Sequence, residues 1–181
     1  MKILRRLCVF FVLLGILVGG AALYLSEKYV VPIIMYHHIS PGTLVETDRV
    51  SPENFRIQMN YLLRHHYNVI PFDEFVKGMK AGKKFSYKTV VITFDDGYED
   101  NFTYAFPVLQ QLKLPAIMFI CPGFAGKKGF MNWDQIKTIQ AGGVVSFGSH
   151  TMTHTYLPMV SREQQEYEIL ESKRILEQEL G

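Results

Sequence analysis

The pattern of apolar and polar positions divides the chain into one long apolar block and an alternating remainder. LCVFFVLLGILVGGAALYL (7–25) runs without a charge, behind the basic residues Lys2, Arg5 and Arg6. At 1.5 Å per residue, a run of about 19 residues nearly spans a hydrocarbon core of roughly 30 Å. Basic residues ahead of it predict the N-terminus inside and the rest outside. A cleaved signal peptide, with Gly20 and Ala22 near the cleavage site, is the competing expectation. The cleavage site is poor and the run long, so an uncleaved anchor is preferred. Either one exports the remainder of the chain. The expected layout is an anchor or signal over 1–25, a short link over 26–29 and one domain over 30–181.

Beyond the link, continuously apolar short runs alternate with segments of helical period. VVPIIMY (30–36), YNVI (67–70), KTVVITF (88–94), PAIMFI (115–120) and VVSFG (144–148) predict strands. SPENFRIQMNYLLRHH (51–66) predicts a helix with Ser51 as N-cap and Pro52 in its first turn; Phe55, Met59, Leu62 and Leu63 share one face. Further helices are expected over 72–82, from Pro107 through Leu112, after the cap Asn132 as far as Gly142 and Gly143, and from the cap Ser161 to Gly181. Strands apolar on both faces, alternating with helices, imply a parallel sheet covered on both sides, or a barrel. A closed parallel barrel needs about eight strands, and about five are visible here. The domain is therefore expected to be incomplete in this chain.

Charge narrows the function. Three of the 19 Lys and Arg precede the apolar run, whereas all 17 Asp and Glu follow it. The overall +2 thus conceals an exported part near −1, with no basic stripe, and nucleic acid is not expected as a partner. Cys8 lies in the apolar run and Cys121 stands alone downstream, so the exported part has no intrachain disulfide. Cys121, after PAIMFI, is expected as a buried small hydrophobe and not a reactive thiol.

Two segments carry candidate chemistry. In VVITFDDGYEDN (90–101) a fully apolar strand ends in adjacent carboxylates, Asp95 and Asp96. A hairpin turn would explain Asp-Gly, but a strand apolar on both faces belongs in the middle of a parallel sheet, where active sites gather at the C-terminal edge. Gly97 allows a sharp turn there. SHTMTH (149–154) follows another strand in the same way. On a helical turn His150 and His154 would share one face, a spacing that lets two imidazoles hold one metal. One Asp and two His with an open position describe a catalytic zinc-type site. The metal would offset repulsion between the carboxylates and leave one of them free as a base.

TFDDG (93–97) and SHTMTH (149–154), in this order and with MNWDQIK (131–137) between them, closely resemble the polysaccharide deacetylases, the NodB-like carbohydrate esterases of family 4. The resemblance covers roughly 30–181. It implies a distorted (β/α) barrel and metal-dependent removal of N-acetyl groups from poly-N-acetylglucosamine, peptidoglycan or a chitin-like glycan. By resemblance, Asp95 is the catalytic base, and Asp96, His150 and His154 hold the metal, most naturally Zn2+. The family's later Arg-Pro, Asp-Trp and Leu-x-His segments should lie beyond Gly181, so the general acid has no counterpart here. MYHHIS (35–40) resembles the opening of deacetylases of exported biofilm polysaccharides, and His37 or His38 would reach the site side of the first strand. A histidine that only supports the strand end is the equal alternative. His65 and His66 are expected on the surface, Trp133 in packing, Tyr98 near the groove, and the lysine pairs starting at Lys83 and Lys127 in solvated loops. The rival class is a non-catalytic cell-surface glycan-binding module; a metallopeptidase is disfavoured because HExxH is absent.

Overall fold

The computed structural model describes residues 2–26, 29–42 and 48–181. Helix α1 (Lys2–Ser26) contains the apolar run. Its segment Leu4–Ala21 is long and apolar enough to cross a membrane, a test that signal sequences also pass, and it is not buried among the described residues. The expected link falls partly on Glu27 and Lys28, outside the described residues.

The rest alternates as the pattern implies. β1 (Ile33–Tyr36) leads to a two-residue ribbon, β2 (His38–Ile39) paired with β3 (Arg49–Val50). Then come α2 (Pro52–Arg64), β4 (Asn68–Val69), α3 (Phe72–Lys80) and β5 (Thr89–Phe94). A π-helical turn, Asn101–Ala105, runs into α4 (Phe106–Leu112), followed by β6 (Ala116–Ile120), α5 (Trp133–Ala141), β7 (Val145–Ser149) and α6 (Arg162–Leu180). The caps act as the residue types imply. Ser51 and Ser161 accept the amides of Asn54 and Gln164, and Asn132 forms a reciprocal capping box with Gln135. Each satisfies amide donors that a helix start leaves without a partner.

The main sheet is parallel throughout, in the order β1-β5-β6-β7, with β4 also on β5. β5 is buried along its whole length, as its apolar run implied. Val90, Ile92 and Phe94 point into the larger core with Phe55, Met59 and Met118, while Val91 joins Val31 and Ile70 on the opposite face beneath α3. Burying a side chain of this size stabilises by about 1.5–3 kcal/mol. Among the described residues β1 and β7 are outer strands, not paired with each other. Among the described residues the sheet is thus open, with five parallel strands where a closed barrel needs about eight.

Register decides what lies together. Tyr36 is level with Phe94, Phe94 with Met118, and Ile120 with Ser149. The residues just past the ends of these strands, His37, Asp95 and Asp96, Cys121 and His150, therefore emerge along one edge of the sheet.

Candidate metal centre

At that edge the chain leaves β5 through a tight turn. The Asp95 amide donates to Tyr36 O at 2.9 Å and the Gly97 amide to Asp95 O at 3.0 Å. Asp96 sits at φ +74° and Gly97 at φ +86°. A Cβ on Gly97 would stand 2.9 Å from Ile120 Cγ2, so glycine is needed for space as well as for conformation. The left-handed turn separates the two carboxylates: Asp96 is buried at 8% exposure and Asp95 half-buried.

Asp96 Oδ1 lies 3.4 Å from His150 Nε2 and 3.3 Å from His154 Nε2. The three ligand atoms fall within 4.8 Å of one another. Both contacts are within ion-pair range, yet Asp96 Oδ1 is buried without a hydrogen bond. An orphaned carboxylate oxygen is costly unless a cation takes the place of the missing donor. Tetrahedral bonds of about 2.0–2.1 Å would set ligand atoms about 3.3–3.4 Å apart, so the donor set and its spacing fit a divalent metal.

The two imidazoles do not meet on a helical turn, as their spacing suggested. The segment after β7 is irregular, with Thr151 at φ +65° and His154 at φ +57°, and the bend brings the ring centroids to 5.0 Å. Both neighbours of this loop hold it. On the β6 side the His150 amide donates to Ile120 O, the Cys121 thiol to His150 O at 3.1 Å, and the Gly123 amide to Met152 O at 3.0 Å. Cys121 is buried as expected, and burial pushes its thiol up to about 12, so its role is packing and this hydrogen bond. On the α6 side stands Glu168, with no exposed surface. Its carboxylate accepts the Thr153 amide (2.8 Å), the Thr153 and Thr155 hydroxyls (2.6 and 3.1 Å) and the Gln164 amide group (3.2 Å). Burial would raise the carboxyl, but the donors from Thr153, Thr155 and Gln164 outweigh it and hold it below its ordinary range.

Asp95 stands beside the cluster. Burial raises its carboxyl above the usual range, against the pull of His150, His37 and His154 and with a push from Asp96. Of the two histidines in MYHHIS, His37 therefore bears on Asp95. His38 is committed elsewhere: Nδ1 lies 2.7 Å from Asp100 Oδ2, and its ring stacks on Tyr98 at 3.6 Å. Burial first, then the neighbouring Asp96 carboxylate, pushes the Tyr98 phenol up to about 12. His65 and His66 are exposed, and Trp133 packs against the core, both as expected. A pocket of about 380 Å³, lined by His150, Thr151, His154, Thr155, Tyr156 and Leu157, opens beside the cluster. Sequence reasoning passed over Asp100 and Glu168. Asp100 follows the turn by one helical step in YEDN, a signal that could have been used. Glu168 lies in a highly charged helix and gave none.

Comparison with known proteins identifies the family. Residues 82–181 match the family model described as polysaccharide deacetylase. The poly-β-1,6-N-acetyl-D-glucosamine N-deacetylase of Staphylococcus aureus is 35% identical over 120 residues, which cover 64% of this chain and 41% of that protein. YxkH of Bacillus subtilis is 35% identical over 146 residues, covering 81% of this chain and 51% of that protein. The chain thus spans about half the length of the curated relatives it matches. Among solved structures, the Streptococcus pyogenes deacetylase PplD, determined with acetate, superposes with a TM-score of 0.76 at 27% identity, over 83% of this chain and 69% of that one. By its matched family model and its fold, the chain belongs to the polysaccharide deacetylase family.

Proposed function

We propose that this chain carries the site of a metal-dependent N-deacetylase that hydrolyses the acetamido groups of an exported polysaccharide. The observation behind this is the convergence of Asp96, His150 and His154 on an unsatisfied carboxylate oxygen, with Asp95 beside them. Asp96, His150 and His154 would hold the metal, with zinc the expected ion. The bound metal would supply Lewis acidity and lower the pKa of water. Asp95 takes a proton from the water that attacks the acetyl carbonyl; its half-buried position keeps it basic enough to do so. The new C–O bond replaces the C–N bond, acetate departs, and the sugar amine gains a proton. His37, whose charge acts on Asp95, is the residue to which we assign delivery of that proton. Tyr156 and Leu157 line the open side, where a sugar ring would lie.

Among the three glycans implied by resemblance, poly-N-acetylglucosamine is favoured, because the Staphylococcus aureus relative is named for it. The domain would act outside the membrane, either held by α1 or released after its removal, within the (β/α) barrel of the family.

The test is acetate release and mass loss from N-acetylglucosamine oligomers by the zinc-loaded chain, beside Asp95→Asn. Release that falls about 10²–10⁴-fold in the variant, with zinc retained, is the expected result. Oligomer binding without acetate release would overturn the proposal in favour of a glycan-binding module.

A further inference from the structure

α6 buries an unusual face. Glu168, Ser172 and Leu176, spaced four apart, are its buried residues, and the first two are polar. Burying a carboxylate costs several kcal/mol unless donors surround it. Among the described residues, the donors to Glu168 are Gln164 on its own helix and Thr153 and Thr155, which flank His154. One turn along, the Ser172 hydroxyl meets the Ser149 hydroxyl at 2.7 Å, and Ser149 Oγ in turn accepts the Thr151 amide. The polar face of α6 thus grips the loop on both sides of its left-handed residues, Thr151 and His154. A β-branched residue at positive φ is strained, and such strain persists only where the surroundings over-determine it.

We propose that Glu168 is a positioning residue of the metal centre: its buried carboxylate sets the loop over 149–155 in the conformation that presents His150 and His154 to Asp96. The proposal rests on the metal-site reading under Proposed function. Glu168 touches neither metal nor substrate, and acts through the backbone and hydroxyls on either side of His154.

Zinc affinity of the full chain, measured by competition with a chromophoric chelator, tests this without substrate. Glu168→Met keeps the bulk and removes both carboxylate oxygens. It is expected to weaken zinc binding about 10–100-fold. Glu168→Gln, which retains one acceptor oxygen for the Thr153 amide, should fall between Met and the parent. Glu166→Gln, on the exposed face of the same helix, should match the parent. A carboxylate that only held α6 in place would lower the melting temperature of the metal-free protein and leave the zinc affinity of the folded protein unchanged; that result overturns the proposal. Should Glu168→Met fail to fold, Thr155→Val removes one donor, and unchanged affinity there overturns it equally. A parent chain that binds zinc but releases no acetate would overturn the deacetylase and leave the role of Glu168 standing.

Discussion

Asp96 holds a conformation that costs a non-glycine residue about 1–3 kcal/mol, at φ +74°, beside two imidazoles and with a bare buried oxygen. Asn tolerates the same backbone region. Asp96→Asn therefore should fold and lose the charge that gathers the metal, and calorimetric zinc titration should show an affinity lower by at least about tenfold. Two adjacent aspartates thus differ in depth: the buried one faces the imidazoles, and the half-buried one keeps a raised carboxyl. Glu168 makes a second residue-scale prediction. Its folded-state carboxyl lies below the ordinary value of 4.5, so it stabilises the fold above that pH, and the contribution disappears as pH falls through the lowered value. Glu168→Gln should flatten the decline in melting temperature below about pH 4.5. A decline as steep as the parent's would show that the Thr153 and Thr155 donors do not favour the ionised form.

At the scale of elements, the site depends on β5 ending where it does. Its apolar run places Phe94 in the core, and the chain then turns through left-handed Asp96 and Gly97, with Gly97 close against Ile120 at the end of β6. Gly97→Ala meets both a positive φ and a 2.9 Å contact. It should destabilise the fold by about 1–3 kcal/mol, read as about 2–4 °C of melting temperature per kcal/mol. An unchanged melting temperature would mean that the turn relaxes freely. The elements that pattern alone did not reveal have physical reasons for escaping it. β2 and β3 are two residues each, too short for any period, and pair residues eleven positions apart, His38 with Arg49 and Ile39 with Val50. The π-helical turn before α4 begins inside the YEDN segment, where local hydrogen bonding and not apolar spacing selects the geometry.

On the scale of the whole molecule, a ligand that binds the native site alone must stabilise the fold. Zinc added at about a thousandfold over its dissociation constant should stabilise the chain by about 4 kcal/mol, raising the melting temperature, with chelator restoring the starting value. The same addition to Asp96→Asn should give little shift; an equal shift would place the zinc elsewhere. What the sequence determined by itself was the alternation, the parallel sheet, the caps at Ser51, Asn132 and Ser161, and the two strand ends that carry Asp95, Asp96, His150 and His154. These come from apolar period and from residue types whose backbone preferences are local. Only the tertiary structure decided the rest. It separated His37, whose charge acts on Asp95, from His38, paired with Asp100, because which partner each of two neighbouring side chains meets depends on elements distant in sequence. It brought His150 and His154 together through left-handed residues, not a helical turn. And it buried Glu168, which in a helix of alternating charges looks like any solvated carboxylate until a loop distant in sequence surrounds it with donors.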